Sequence, residues 1–143
     1  MRLVVDTNVV FSALLNPASE IGVLLLDLDD RFDFYGPELL LEEIERYSEK
    51  LMRYTKIDLE NFYKIKTWLL DSINIIEVEL ISNKSWKEAF ELVKDVDVDD
   101  TPFVALAIQL NCQLWTGDKK LAGSIYHKNE KLILNTQEVL KLL

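Results

Sequence analysis

The sequence predicts an α/β fold: three α/β/α layers around a central, mostly parallel five-stranded sheet. Three observations predict it. Short apolar runs alternate with segments of helical period along the whole chain, the pattern of a parallel sheet covered on both faces. The first run, RLVVD, reads as a buried, β-branched strand. Only 4 Gly and 3 Pro occur in 143 residues, which leaves little material for long irregular loops. Residues 1–143 are expected to form one domain, since no linker, repeat or low-complexity stretch divides them.

The elements follow in order. NVVFSALLN has helical spacing and stops at Asn16-Pro17; Ser19 to Leu28 reads as a second short helix capped by Ser19. FDFYG is a strand closed by Gly36-Pro37. The stretch from Pro37 to Tyr54 places apolar residues at 40, 41, 44, 47, 51 and 52, a helix period, with Pro37 in its first turn. Asp58 caps a further amphipathic helix, LENFYKIKTWLLDS. Two helices thus separate the second and third strands, and the pair is a candidate for a small helical projection.

INIIEVEL is the third strand, Ser85 to Val93 a helix, and DVDVDD an acidic turn. TPFVALAIQLN is a strongly apolar helix with Pro102 in its first turn and Asn111 near its end. CQLWTGD is a strand ending in polar residues, KKLAGSIYHKN a short helix and loop, KLILNT the last strand and QEVLKLL the terminal helix.

Composition removes several function classes. The net charge is −9, from 25 acidic and 16 basic residues, which argues against a general nucleic-acid binder that works by neutralising phosphates. It leaves room for a metal-dependent nuclease, whose bound cations reverse the local field. One cysteine, Cys112, excludes an intrachain disulfide, and no Cys/His cluster offers a zinc site. No apolar run reaches the length of a membrane span, and Asp6 interrupts the start MRLVVD before a signal-peptide apolar region can form. A cytoplasmic setting with no membrane association is expected. His127, the single histidine, reads as a surface residue, and Cys112 as buried and inert.

Carboxylates recur at one end of successive strands. Asp6 ends the first strand, Asp99 and Asp100 open the apolar helix, and Asp118 ends the strand CQLWTGD. Glu43 lies about a turn into the helix after the second strand. Parallel strands bring their carboxyl ends together, where open α/β sheets place ligands. Taken singly, each acid has a plainer reading: Asp6 and Asp118 as helix caps, Asp100 as a cap or first-turn acid, Glu43 as a solvated group. Taken together, four acids on one rim would repel one another unless a cation sat among them. Hard cations such as Mg²⁺ take oxygen ligands and need no histidine.

With these residues assembled, the chain resembles the PIN domain, in the branch of toxin–antitoxin proteins related to VapC-type toxins. VVDTNVVFSALL resembles the opening motif, LLLEEI the helix bearing the second acid, DVDDTPFVALAIQLN the third motif and LWTGDKKL the fourth. The resemblance spans Arg2 to Leu134. It implies that Asp6, Glu43, Asp100 and Asp118 are the catalytic acids and ligands of Mg²⁺ or Mn²⁺. It implies that Thr7, Asn8 and Thr116 position carboxylates or substrate. Glu42 is the alternative second acid, and Asp97 or Asp99 are possible additional members.

The activity so implied is metal-dependent hydrolysis of RNA by the toxin member of a pair, with a small antitoxin and a homodimer as partners. Lys119 and Lys120, or Arg46, Lys50 and Arg53, are candidate RNA contacts, although solvated side chains are the plainer reading of each. Trp68, Trp86 and Trp115 read as packing residues. Leu51, Met52, Tyr54, Phe62, Tyr63 and Trp68 exceed what one buried face needs, which points to association. Two other readings stand beside this one. The first is a PIN-like RNA- or protein-binding module that does not cleave. The second is a receiver- or phosphatase-like domain phosphorylated on Asp6, which fits poorly because Asn8 stands where the phosphatase pattern needs a second aspartate.

Overall fold

Strand β1 (Arg2–Val5) buries Leu3, Val4 and Val5 completely, and everything else is arranged around it. The computed structural model describes residues 1–26 and 31–143. β1 pairs in parallel with β2 (Asp33–Pro37) on one side and with β4 (Gln113–Trp115) on the other. β3 (Ile73–Ile76) adds in parallel to β2, and β5 (Ile133–Leu134) to β4. The sheet is five-stranded and wholly parallel, in the order β3-β2-β1-β4-β5.

That order fixes the layers. Helices α1 (Thr7–Leu15) and α2 (Glu20–Leu26) connect β1 to β2, and α3 (Glu38–Tyr54) and α4 (Leu59–Asp71) connect β2 to β3. Both crossovers move the same way across the sheet, so right-handed connections place all four helices on one face. The connection through α5 (Asn83–Val93) and α6 (Thr101–Gln109) runs back from β3 to β4, so it lies on the other face, as does α7 (Lys119–Tyr126) between β4 and β5. A last helix, α8 (Thr136–Leu140), follows β5 and is closed by a capping box between Asn135 and Glu138. The reversal falls between β1 and β4, the switch point at which open α/β sheets form a crevice outside the carboxyl ends of their strands.

Most of the expected elements are present, and the differences have local causes. The expected end of the second helix at Leu28 lies outside the described residues. α2 sits so close to the preceding turn that a Cβ on Gly22 would meet the Pro17 carbonyl oxygen at 2.3 Å. Pro37 ends β2 and stands at the N-cap position of α3 rather than within its first turn. β3 is shorter than INIIEVEL because Val78–Leu80 turns into a 3₁₀ segment, whose Val78 N–H is taken by Glu38 at 2.7 Å. α5 begins two residues early, at Asn83, because the Ser82 hydroxyl accepts the Ser85 N–H. α6 ends at Gln109, and Asn111 adopts φ 51°, a left-handed conformation that asparagine tolerates.

α3 and α4 are not a projection. Both pack on α1, and α4 also reaches α2 and β3. Leu51 and Phe62, expected as surplus surface, belong to the core, and Met52 packs against it. Of the tryptophans, Trp115 is fully buried and Trp86 partly so, but Trp68 is 59% exposed. The buried row of α4 is Phe62, Lys66 and Leu69, and Trp68 lies about 100° round the helix from Leu69. Among the described residues no single helix is long and apolar enough to cross a membrane.

Candidate metal centre

β1 delivers Asp6 to the crevice, and the backbone turns into α1 immediately behind it. Asp6 is the N-cap of α1, and its Oδ1 accepts the Thr7 N–H at 2.8 Å. Its Oδ2 accepts the Thr116 hydroxyl at 2.6 Å from the end of the neighbouring strand β4. Thr116 is buried, and its oxygen also accepts from the Asp118 N–H at 3.0 Å and from Asn8 Nδ2 at 3.4 Å. One donor and two acceptor sites are thereby all used. Asn8 closes the loop by accepting the Gly117 N–H at 3.2 Å. Thr7, Asn8 and Thr116, expected as positioning residues, therefore make one network that ties the ends of β1 and β4 together.

Glu43 comes from the facing helix α3. The Thr7 hydroxyl donates to its Oε1 at 3.3 Å. Glu42 is exposed, whereas Glu43 is part-buried, bonded to Thr7 and within electrostatic reach of Asp6. Asp118 caps α7, its Oδ1 accepting from the N–H groups of Lys120 and Leu121, each at 3.0 Å. Asp97 caps the 3₁₀ turn Val98–Asp100 by accepting the Asp99 N–H. The plainer reading thus holds in part: Asp6, Asp97 and Asp118 are caps, whatever else they do.

Asp100 is different. It stands at the N-cap position of α6, yet its side chain caps nothing. Its carboxyl is raised from 3.8 to about 7, first by burial and then by the negative charges of Asp6, Asp97, Asp118 and Glu43. Asp6 is raised mainly by burial, against the lowering effect of Thr116 and Thr7, with Asp118 adding repulsion. Glu43 is raised by burial and by Asp6; the Thr7 hydroxyl and Arg46 lower it, and Asp99 raises it. Asp100 is therefore within electrostatic reach of the other three sequence-predicted acids and of Asp97, and Glu43 within reach of Asp6 and Asp99.

The donor set fits a hard cation in kind: it is all carboxylate oxygen, part-buried and mutually repelling. In placing, no three His, Cys, Asp or Glu side chains among the described residues form a group that would hold a metal ion.

Lys119 and Lys120 are exposed at the start of α7. Cys112 is half-buried rather than buried, on the edge away from these acids, and burial raises its thiol. Tyr47 was not among the expected site residues. It sits one turn beyond Glu43, and its ring meets Phe11 of α1 edge-on at 6.0 Å. Its place in the apolar period hid it, although its spacing of four from Glu43 was the available signal.

Comparison with known proteins agrees with this architecture. A PIN domain family model matches residues 4–137. No curated protein matches the sequence. Among solved structures, the chain is similar to one described as VapBC2 from Rickettsia felis bound to a DNA fragment from their promoter. That match has a TM-score of 0.65 and 18% identity, over 94% of this chain and 98% of that one. It is also similar to PAE2754 from Pyrobaculum aerophilum, with a TM-score of 0.65 and 13% identity, over 99% of this chain and 88% of that one. At these identities the likenesses speak for the fold. The family match covers nearly the whole chain, and the chain belongs to the PIN domain family.

Proposed function

We propose that residues 1–143 act as one PIN domain, a Mg²⁺- or Mn²⁺-dependent endoribonuclease that serves as the toxin of a toxin–antitoxin pair. The observation that carries this reading is Asp100, a helix-cap position whose carboxylate caps nothing and is pushed up to about 7 by burial and four neighbouring acids. A group so placed gains most from a cation. Asp6, Glu43, Asp100 and Asp118 would hold it.

A bound divalent cation supplies positive charge that polarises a phosphodiester and neutralises its leaving oxygen. The chain's own part is positional. Thr116 and the Thr7 N–H fix both oxygens of Asp6, so that carboxylate presents one constant orientation. The Thr7 hydroxyl steadies Glu43 on the opposite wall. Asn8 holds the Gly117 N–H and so sets the path of the backbone that carries Asp118.

The comparison complex is named as a VapB–VapC assembly, which supports a small antitoxin as a partner. Leu59, Tyr63 and Trp68 are 58%, 48% and 59% exposed on α4, which supports a homodimer or other protein contact there. A cytoplasmic setting, where Cys112 stays reduced, is consistent with this role.

A second reading, a PIN-like binding module without cleavage, draws on one observation: no three acids stand as a ligand group among the described residues. Titrating Mg²⁺ or Mn²⁺ against a fluorescent RNA separates the two. Metal-dependent cleavage that Asp100→Asn removes is the expected result; binding without cleavage at any metal concentration supports the module.

A further inference from the structure

Helix α5 is tethered at both ends by side chains from other elements. At its start, Gln109 of α6 accepts the Ser82 N–H and the Ser85 hydroxyl, each at 3.0 Å. At its end, Lys128 donates from Nζ to the carbonyl oxygens of Glu91 and Leu92, at 3.2 and 3.4 Å. The same amine lies 3.6 Å from the Asp95 carboxylate.

The last carbonyls of a helix find no partner within it, and the chain that follows α5 leaves two of them open. The Lys94 N–H serves Phe90, while the N–H groups of Val96 and Asp97 both turn back to Val93, at 2.9 and 3.0 Å. Among the described residues no following backbone N–H reaches Glu91 or Leu92. The last turn of α5 holds no basic residue, and the Lys94 amine goes to Glu91 Oε2 instead. The donor that completes this helix end therefore comes from 36 residues beyond Leu92.

The acidic turn begins where that clasp sits. Asp97 hangs from Val93 by its N–H, its carbonyl accepts the Asp100 N–H at 3.2 Å, and its Oδ1 accepts the Asp99 N–H at 2.9 Å. The Asp100 backbone is thus located, through Asp97, by the last turn of α5. Lys128 itself belongs to the turn that closes α7, its N–H on the Ile125 carbonyl at 2.8 Å, and α7 starts at Asp118. Its amine makes no ion pair with Asp6, Glu43, Asp100 or Asp118 among the described residues.

We propose that Lys128 is a positioning residue for the acidic crevice: its amine clasps the end of α5 and so sets the Asp97–Asp100 turn against the helix that starts at Asp118. The placement stands on these hydrogen bonds; its consequence for a cation rests on the metal-site reading. Charge alone predicts the opposite consequence, because removing a lysine near carboxylates makes a divalent cation more welcome.

The test compares Lys128→Met, which keeps the stem and loses the donors, with Lys128→Arg and with Lys94→Gln, which removes a neighbouring positive charge without touching the carbonyls. Lys128→Gln takes the place of Lys128→Met if that variant fails to fold. Hydrogen exchange read by NMR on the metal-free full chain should quicken at the Val96, Asp97 and Asp100 amides of Lys128→Met and leave the β1 amides unchanged. Mn²⁺ affinity measured by calorimetry should fall roughly 2- to 30-fold in the same variant. Lys128→Arg should restore both, and Lys94→Gln should bind Mn²⁺ no more weakly than the parent. Exchange that is unchanged at the three amides, or quickened across the whole chain, would overturn the clasp. So would Mn²⁺ affinity in Lys128→Met equal to or above that of the parent. Selective quickening at the three amides in a parent chain that binds no Mn²⁺ would leave the clasp standing and refute the metal-site reading instead.

Discussion

The Thr116 hydroxyl donates to Asp6 Oδ2 at 2.6 Å, joining the ends of two adjacent parallel strands that lie 110 residues apart in sequence. The same oxygen accepts from Asp118 N–H and Asn8 Nδ2, so one buried side chain sets three of the residues around the crevice. Asp6 and Asp118 therefore lie just beyond the ends of β1 and β4, tied together through one hydroxyl.

Removing that hydroxyl should be felt in stability as well as in chemistry. Thr116→Val leaves Asp6 Oδ2 without its donor, Oδ1 keeping the Thr7 N–H, and is expected to destabilise the fold by about 1–3 kcal/mol. Thr116→Ser keeps the donor and should lose much less. Urea unfolding of the two variants checks this; equal losses would mean that the methyl group, not the hydroxyl, matters here.

The metal-free protein should lose stability as pH rises from about 4 to about 7. Asp100 moves from 3.8 to about 7 on folding, so within that window the folded state holds a proton the unfolded state has released. The penalty is absent below the window, grows through it and is complete above it. Asp6 and Glu43 are raised too and contribute with the same sign. Asp100→Asn should flatten the profile and raise the neutral-pH melting temperature of the metal-free protein. A variant less stable than the parent at pH 8 would point to an ordinary structural carboxylate.

The two adjacent glutamates should separate cleanly. Glu43→Gln is expected to reduce both the melting-temperature gain from Mn²⁺ and RNA cleavage, and Glu42→Gln to change neither. Thermal shift with and without Mn²⁺, alongside a cleavage assay, checks it. The reverse ranking would place the wrong residue in the crevice.

Light scattering should report a dimer that Trp68→Glu converts to a monomer of unchanged melting temperature, because Trp68 is 59% exposed and lies outside the core. A parent chain that stays monomeric at high micromolar concentration would remove α4 as an association surface.

The sheet and its rim were legible because their signals are strong and local. LVV and VALA are apolar enough to be buried whole, and Asp6 stands directly behind the first. Element ends were less legible where a distant group decides them. β3 stops because Glu38, forty residues earlier, takes the Val78 N–H. Lys66 stands on the buried row of α4, with its stem buried and its amine reaching Glu45, a burial that period alone does not announce. Trp68 lies in an apolar pattern that reads both as packing and as surplus surface, and its place off the buried row of α4 leaves it exposed. At the crevice, residue type named the acids, but only the fold shows that Asp6, Asp97 and Asp118 cap helices or turns while Asp100, at a cap position, does not.

Calorimetric titration of Mn²⁺ into the parent chain and Asp100→Asn at pH 8 asks whether Asp100 and its neighbours bind a divalent cation. The expected result is saturable binding by the parent, weakening as pH falls below about 7 because protons compete for Asp100, and binding at least tenfold weaker in the variant. Equal Mn²⁺ affinity in the two proteins, or no binding by either, would contradict it.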